Sequence, residues 1–117
     1  METQEQIKKL FESIDNHDVA GFLEFLSDDV HFKFGNQEPV NGKVNLRNEL
    51  NVFFKSIKSI SNDIINIWEQ NDVVICRGIV TYTRHDNSIL SVPFVNIFKM
   101  EQHLVKEYLI YADISSL

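Results

Sequence analysis

The stretch "VVICRGIVTYTRHDNSILSVPFVNIFKM", Val73 to Met100, decides the fold. It contains two runs rich in Val, Ile, Thr, Tyr and Phe, near 73–84 and 89–100, divided by the polar turn "RHDNS". β-Branched and aromatic runs bounded by turn residues read as strands, and a short polar break between them reads as a hairpin. Side chains alternate between the two faces of a strand, so each run separates into two sets. On the first, Val74, Cys76, Gly78, Val80, Tyr82 and Arg84 stand against Val73, Ile75, Arg77, Ile79, Thr81 and Thr83. On the second, Leu90, Val92, Phe94, Asn96, Phe98 and Met100 stand against Ser91, Pro93, Val95, Ile97 and Lys99. The first set of each run carries the larger side chains and one lone amide, Asn96, and is assigned to the interior. Bulges in a strongly curved sheet can shift such a register partway along a strand.

Working outward, the strand-like period extends on both sides. Further strands are expected near 62–69 and 103–112, set off by "QND" and "MEQH", which gives a four-stranded meander. On the last strand Tyr108, Ile110 and Ala112 would face inward, with Leu109, Tyr111 and Asp113 outward. Before Asn62 the period is helical. Thr3 with Gln6 suggests a capping box, followed by an apolar stripe of Ile7, Leu10, Phe11 and Ile14. Asp18 is placed to cap a second helix carrying Val19, Phe22, Leu23 and Leu26. "SDD" ends that helix, and Val30 to Phe34 reads as a short strand. "GNQEPVNG", residues 35–42, reads as loop, and a third helix is expected from about Lys43 to Ser59 with Leu46, Leu50, Phe53, Phe54 and Ile57 on one side. Helices followed by an antiparallel run make an α+β domain.

The 117 residues suffice for one domain with a real core, here residues 1–117. Eleven Lys and Arg against seventeen Asp and Glu leave a net charge of −6 with no basic stripe, which argues against nucleic acid and anionic membranes as partners. No apolar run approaches the roughly 20 residues of a membrane span. The polar start "METQEQIKKLF" and the lone Cys76 suggest a cytoplasmic protein.

The order helix–helix–strand–helix–four strands resembles the cone-shaped fold shared by nuclear transport factor two, ketosteroid isomerase and SnoaL-like polyketide cyclases. The segments that carry it are "IDNHDVAGFLEFLSDDVHFKFG", "PVNGKVNLRNEL" and "VTYTRHDN…VPFVNIF", closed by "YAD" on the last strand. The resemblance covers nearly the whole chain. It implies three helices packed in the concave face of a strongly curved, mainly antiparallel sheet, a deep central pocket, and dimers formed through the outer sheet face.

It also sharpens the chemistry. Ketosteroid isomerase works with an Asp general base and an oxyanion hole of a Tyr and a protonated Asp. Carried over by position, the Tyr falls on Leu10 or Phe11, the base on Phe34 and the hydrogen-bonding Asp on Asn96. A phenyl ring cannot take a proton, so that arrangement cannot run here. The Asp–Arg–Asp set of limonene epoxide hydrolase falls on Val80, Gly78 and Ile110, and Arg77, next to the Arg position, faces the other way. Neither set of catalytic groups is present.

What is left is a set of binding candidates: Phe34, Asn36, Phe54, Trp68, Tyr82, Phe94, Asn96 and Tyr108. Asn96 leads, because a lone amide among phenylalanines needs a partner. Tyr82 and Tyr108 carry hydroxyls, Asn36 could donate from the rim, and Trp68, grouped by alternation with Asn62, Ile64 and Asn66, could form a wall. Asn96, Tyr82 and His31 are the weak catalytic candidates. A histidine does acid–base work near neutral pH, but in "VHFKF" His31 alternates with Phe32 and Phe34 and is expected to face away from the pocket. His17, His85 and His103 fall in turns and are expected to be solvated. No metal-ligand spacing, phosphate loop or nucleophile triad is evident, and no cofactor is expected. The reading is therefore a small-molecule-binding domain with a largely apolar pocket for a hydrophobic or aromatic ligand, with a lyase- or isomerase-type activity as the family's usual chemistry. The alternative is a dimeric interaction module whose pocket is plugged where Phe34, Phe54, Phe94 and Phe98 meet. Ile75, Ile79, Val95, Ile97 and Leu109 are expected to form an apolar outer face that pairs with a second copy.

Overall fold

A computed structural model describes residues 2–117. The chain runs α1 (Glu2–Asp15), α2 (Val19–Leu23), β1 (Leu26–Phe34), β2 (Val40–Asn41), α3 (Lys43–Ser56), β3 (Ser59–Gln70), β4 (Val73–Thr83), β5 (Ile89–Glu101) and β6 (Leu104–Tyr111). The six strands form one open sheet in the order β2-β1-β6-β5-β4-β3. β3 to β6 are the expected antiparallel meander, and β1 joins β6 in parallel, so the sheet is mixed. The α+β cone with helices in the concave face of a curved sheet is the architecture expected from the sequence. Its core draws Ile7, Leu10 and Phe11 from α1, Phe22 and Leu23 from α2, Leu46 and Phe54 from α3, and Val74, Phe98, Val105 and Tyr108 from the sheet.

The helix ends show how local chemistry sets the element bounds. Asp18 caps α2 as expected, its carboxylate accepting from the Gly21 N–H at 3.0 Å. The capping box does not form: Thr3 lies inside α1, and the Gln6 amide donates instead to the His103 carbonyl on the β5–β6 turn. α2 stops at Leu23, so Leu26 belongs to β1, paired with Val105, and "SDD" is strand and not a helix end. Burial decides that case: Leu26 is fully buried where β1 begins. Inside the expected loop, Val40 and Asn41 form the short β2 against Phe32 and His31.

β4 and β5 follow the alternation read from the sequence, with Val74, Cys76, Val80 and Tyr82 on one strand and Phe94, Asn96 and Phe98 on the other buried. β3 does not. Its pairing passes from Ile64↔Gly78 to Asn66↔Arg77, leaving Ile65 without an opposite residue. That bulge turns the remainder of the strand over, since one extra residue exchanges the faces. Gly78 is what the bulge needs opposite it, because an added Cβ would run into the Asp63 carbonyl and come within 3.0 Å of the Phe94 ring.

Candidate functional site

A cavity opens between the helices and the concave face of the sheet. Phe11 and Ile14 of α1, Phe22 of α2, Phe32 and Phe34 of β1, and Leu50 and Phe54 of α3 line one side. Ile60, Asn62, Val80, Tyr82, Phe94, Asn96, Tyr108, Ile110 and Ala112 close the other. Its volume is about 80 Å³. A second, outer chamber of about 240 Å³ adjoins it, sharing Phe32, Phe34 and Leu50 and adding Gln37, Glu38, Glu49, Phe53 and Ile114.

The inner wall is apolar apart from four side chains: Asn62, Tyr82, Asn96 and Tyr108. Asn96 is 3% exposed, and its Oδ1 is buried with no hydrogen-bond partner. It sits opposite Cys76 on β4 and Ile110 on β6, at the middle of the sheet. Burial pushes the Tyr82 hydroxyl up to about 12. Burial first, then the nearby Cys76 and Tyr82, hold the Tyr108 hydroxyl well above the ordinary tyrosine value. The Cys76 thiol behind Asn96 is likewise pushed to about 12 by burial, against a small opposing contribution from the Asn96 backbone N–H. At neutral pH each of these groups is uncharged, so the cavity offers hydrogen bonds and no charge.

The structure gathers Phe34, Phe54, Tyr82, Phe94, Asn96 and Tyr108 around this one space. Three other candidates lie outside it. Trp68 is 51% exposed and pairs with Ile75 on the outer face, because the Ile65 bulge reverses the set to which it was assigned. Asn36 is exposed in a turn closed by the Gln37 N–H donating to the Phe34 carbonyl, so it is not among the lining residues. His31 faces away from the cavity as expected, its Nδ1 lying 2.8 Å from Asn41 Oδ1 across the β1–β2 pair. Phe98, counted as a possible plug, packs behind the wall, edge-on to Phe11 and Tyr108.

Two features were not anticipated. His17, expected to be solvated, stacks on the cavity-lining Phe54 with ring centroids 4.5 Å apart, and its Nε2 is buried without a partner. Asp15, at the end of α1, accepts from the backbone N–H of Asn62 at 3.1 Å and from its Nδ2 at 2.7 Å. Burial raises the Asp15 carboxyl, and the bonds from Asn62 oppose that shift. The first depends on the approach of the α1–α2 turn to α3 and the second on that of α1 to β3, neither of which a local pattern encodes. Among the described residues no group of three His, Cys, Asp or Glu could hold a metal ion, and no helix is long and apolar enough to cross a membrane.

The positions taken from ketosteroid isomerase converge in space: Phe11, Phe34 and Asn96 all line the cavity. Val80 and Ile110, two of the epoxide hydrolase positions, line it too, while Arg77 lies outside with its Nε donating to Asn66 Oδ1 at 2.8 Å. Phe11, Phe34, Val80 and Ile110 carry no acid or base.

Comparison with known proteins agrees with this fold. Residues 7–108 match the model of the SnoaL-like domain. Among curated protein sequences, none matches. The solved structures that resemble the chain include an NTF2-like protein of unknown function from Burkholderia pseudomallei, at 13% identity and TM-score 0.90, covering 99% of this chain and 94% of that one. TerC, co-crystallized with polyporic acid, aligns at 16% identity and TM-score 0.86 over 97% of this chain and 93% of its own. A limonene-epoxide-hydrolase-like epoxide hydrolase from Mycobacterium tuberculosis aligns at 12% identity and TM-score 0.85, over 97% and 84%. At such identities the likeness is one of fold.

Proposed function

The chain belongs to the SnoaL-like domain family, and on that premise we propose that it binds a small, largely apolar ring compound in the cone cavity. One observation carries the reading: Phe34, Phe54 and Phe94 stand around a space of about 80 Å³ and do not meet in it. In a plugged, vestigial pocket these rings would pack against one another. TerC, of the same fold, holding polyporic acid is in keeping with a ring-shaped guest. The function is binding without proton transfer at the ketosteroid isomerase positions, since Phe11 and Phe34 carry no acid or base. Any turnover would be of the isomerase or lyase type and would have to use Asn96, Tyr82 or Tyr108.

Native mass spectrometry of the purified protein tests this. The expected spectrum carries a small co-purified molecule, or an adduct after incubation with toluene or naphthalene, and Val80→Phe, which fills the cavity from β4, removes it. A purely apo spectrum together with no thermal shift from any ring compound would overturn the proposal.

A second observation supports a homodimer formed through the outer sheet face. Ile65, Trp68, Val95 and Tyr111 are exposed there, at 47%, 51%, 38% and 53%, next to the half-buried Ile75, Ile79, Ile97 and Leu109. Exposed apolar side chains grouped on a sheet face are characteristic of subunit contacts. The setting proposed is the cytoplasm, in keeping with Cys76 as a free buried thiol.

A further inference from the structure

From the same cavity we infer the chemical class of its guest: a neutral ring compound that donates an O–H hydrogen bond to Asn96 Oδ1, with anionic relatives of that compound excluded. The inference rests on the binding proposal and goes further by fixing polarity and charge. An amide oxygen that is buried without a partner carries a desolvation cost that a ligand hydroxyl would relieve. Asn96 Oδ1 is such an atom, in a residue 97% buried (3% exposed) and lining the cavity. Carbonyl and ether oxygens cannot satisfy it, because they too are acceptors.

The charge follows from the wall. Among the described residues the inner cavity is lined by no Lys, Arg or His, and its titratable members, Tyr82 and Tyr108, are held protonated by burial. A carboxylate or phenolate brought there would lose its hydration and meet no cation, a cost of several kcal/mol per ion. The approach adds to the exclusion, because Glu38 and Glu49 line the adjoining outer chamber. A neutral phenol or alcohol meets none of these penalties, and its hydroxyl has the amide of Asn96 to bond with and Tyr82 and Tyr108 on the same wall.

Four ring probes of similar size separate the possibilities: toluene, phenol, anisole and benzoate, titrated at neutral pH into the wild-type protein and Asn96→Leu. The expected result is that Asn96→Leu weakens phenol relative to toluene by roughly fivefold to tenfold, the strength of one buried hydrogen bond. Anisole, which accepts and cannot donate, should keep its affinity relative to toluene, and benzoate should bind at least about a hundredfold more weakly than phenol. Should Asn96→Leu fail to fold, the side-chain amide resonances of Asn96 in the wild-type protein serve instead, shifting with phenol and not with toluene. A phenol-to-toluene ratio unchanged by the substitution, or amide resonances that respond alike to both, overturns the inference while leaving the cavity as a ring-binding site. Equal weakening of anisole, or benzoate binding as tightly as phenol, overturns it as well. Failure of toluene and all the other probes to bind defeats the underlying binding proposal and the inference with it.

Discussion

Asp15 has its carboxyl raised by burial while three hydrogen bonds from Asn62 tie it to β3. A carboxyl whose folded value exceeds its unfolded one contributes stability that is full below the unfolded value and is lost as pH rises through the folded one. The stability of the wild-type protein relative to Asp15→Asn should therefore fall as pH rises from below the ordinary carboxyl value through the raised folded one, read by urea unfolding of both proteins from acid to neutral pH. Asp86 and Asp113, lowered chiefly by the bonds they accept from Ser88 and Ser115, work in the opposite direction but are common to both proteins and cancel. A difference that grows with pH would contradict the account of Asp15. Asn96 gives a second test: in the unliganded protein Asn96→Leu removes an unpaired buried amide and should gain about 1–2 kcal/mol in urea unfolding. A loss of that size would mean that the amide is satisfied. Asn96 was legible in the sequence because alternation places it among Phe94 and Phe98. His17 and Asp15 were not, because their partners Phe54 and Asn62 lie far along the chain.

At the scale of elements, β4 and β5 could be read residue by residue, since eleven consecutive pairings join them without interruption. β3 could be read only as far as Ile64. Its composition gives no sign of where an extra residue sits, so Trp68 was assigned to the wrong face. The sign lay across the sheet, in the glycine at 78. Gly78→Ala should destabilise the protein by about 1–3 kcal/mol through overpacking against Asp63 and Phe94, measured by urea unfolding. Tolerance of alanine would show that the bulge can relax. β1 was underestimated for a related reason: Ser27, Asp28 and Asp29 look like a helix end locally, and the pairings of Leu26 and His31 with β6 on either side of them carry the strand through.

For the whole molecule, the cone was legible because the long strands all follow one change of period near residue 60, after helices interrupted only by β1 and the short β2. Whether nine Phe would fill the cone or surround a space could not be read from the sequence, because that depends on how far the helices stand from the sheet. The outer face carries its own prediction. The protein should sediment as a dimer at micromolar concentration, and Trp68→Glu with Val95→Glu should give a folded monomer. Trp68 is the sole tryptophan, so its quenching by acrylamide should rise as the wild-type dimer is diluted. A monomer whose quenching is independent of concentration would contradict the pairing.

The open cavity is the claim on which the functional account stands, and a crystal structure under xenon pressure tests it most directly, since dry apolar cavities take up xenon. The account predicts a xenon site bounded by Phe34, Phe54, Phe94 and Asn96. A structure with no such site, in which Phe34 or Phe54 has swung in to fill the space, would contradict it.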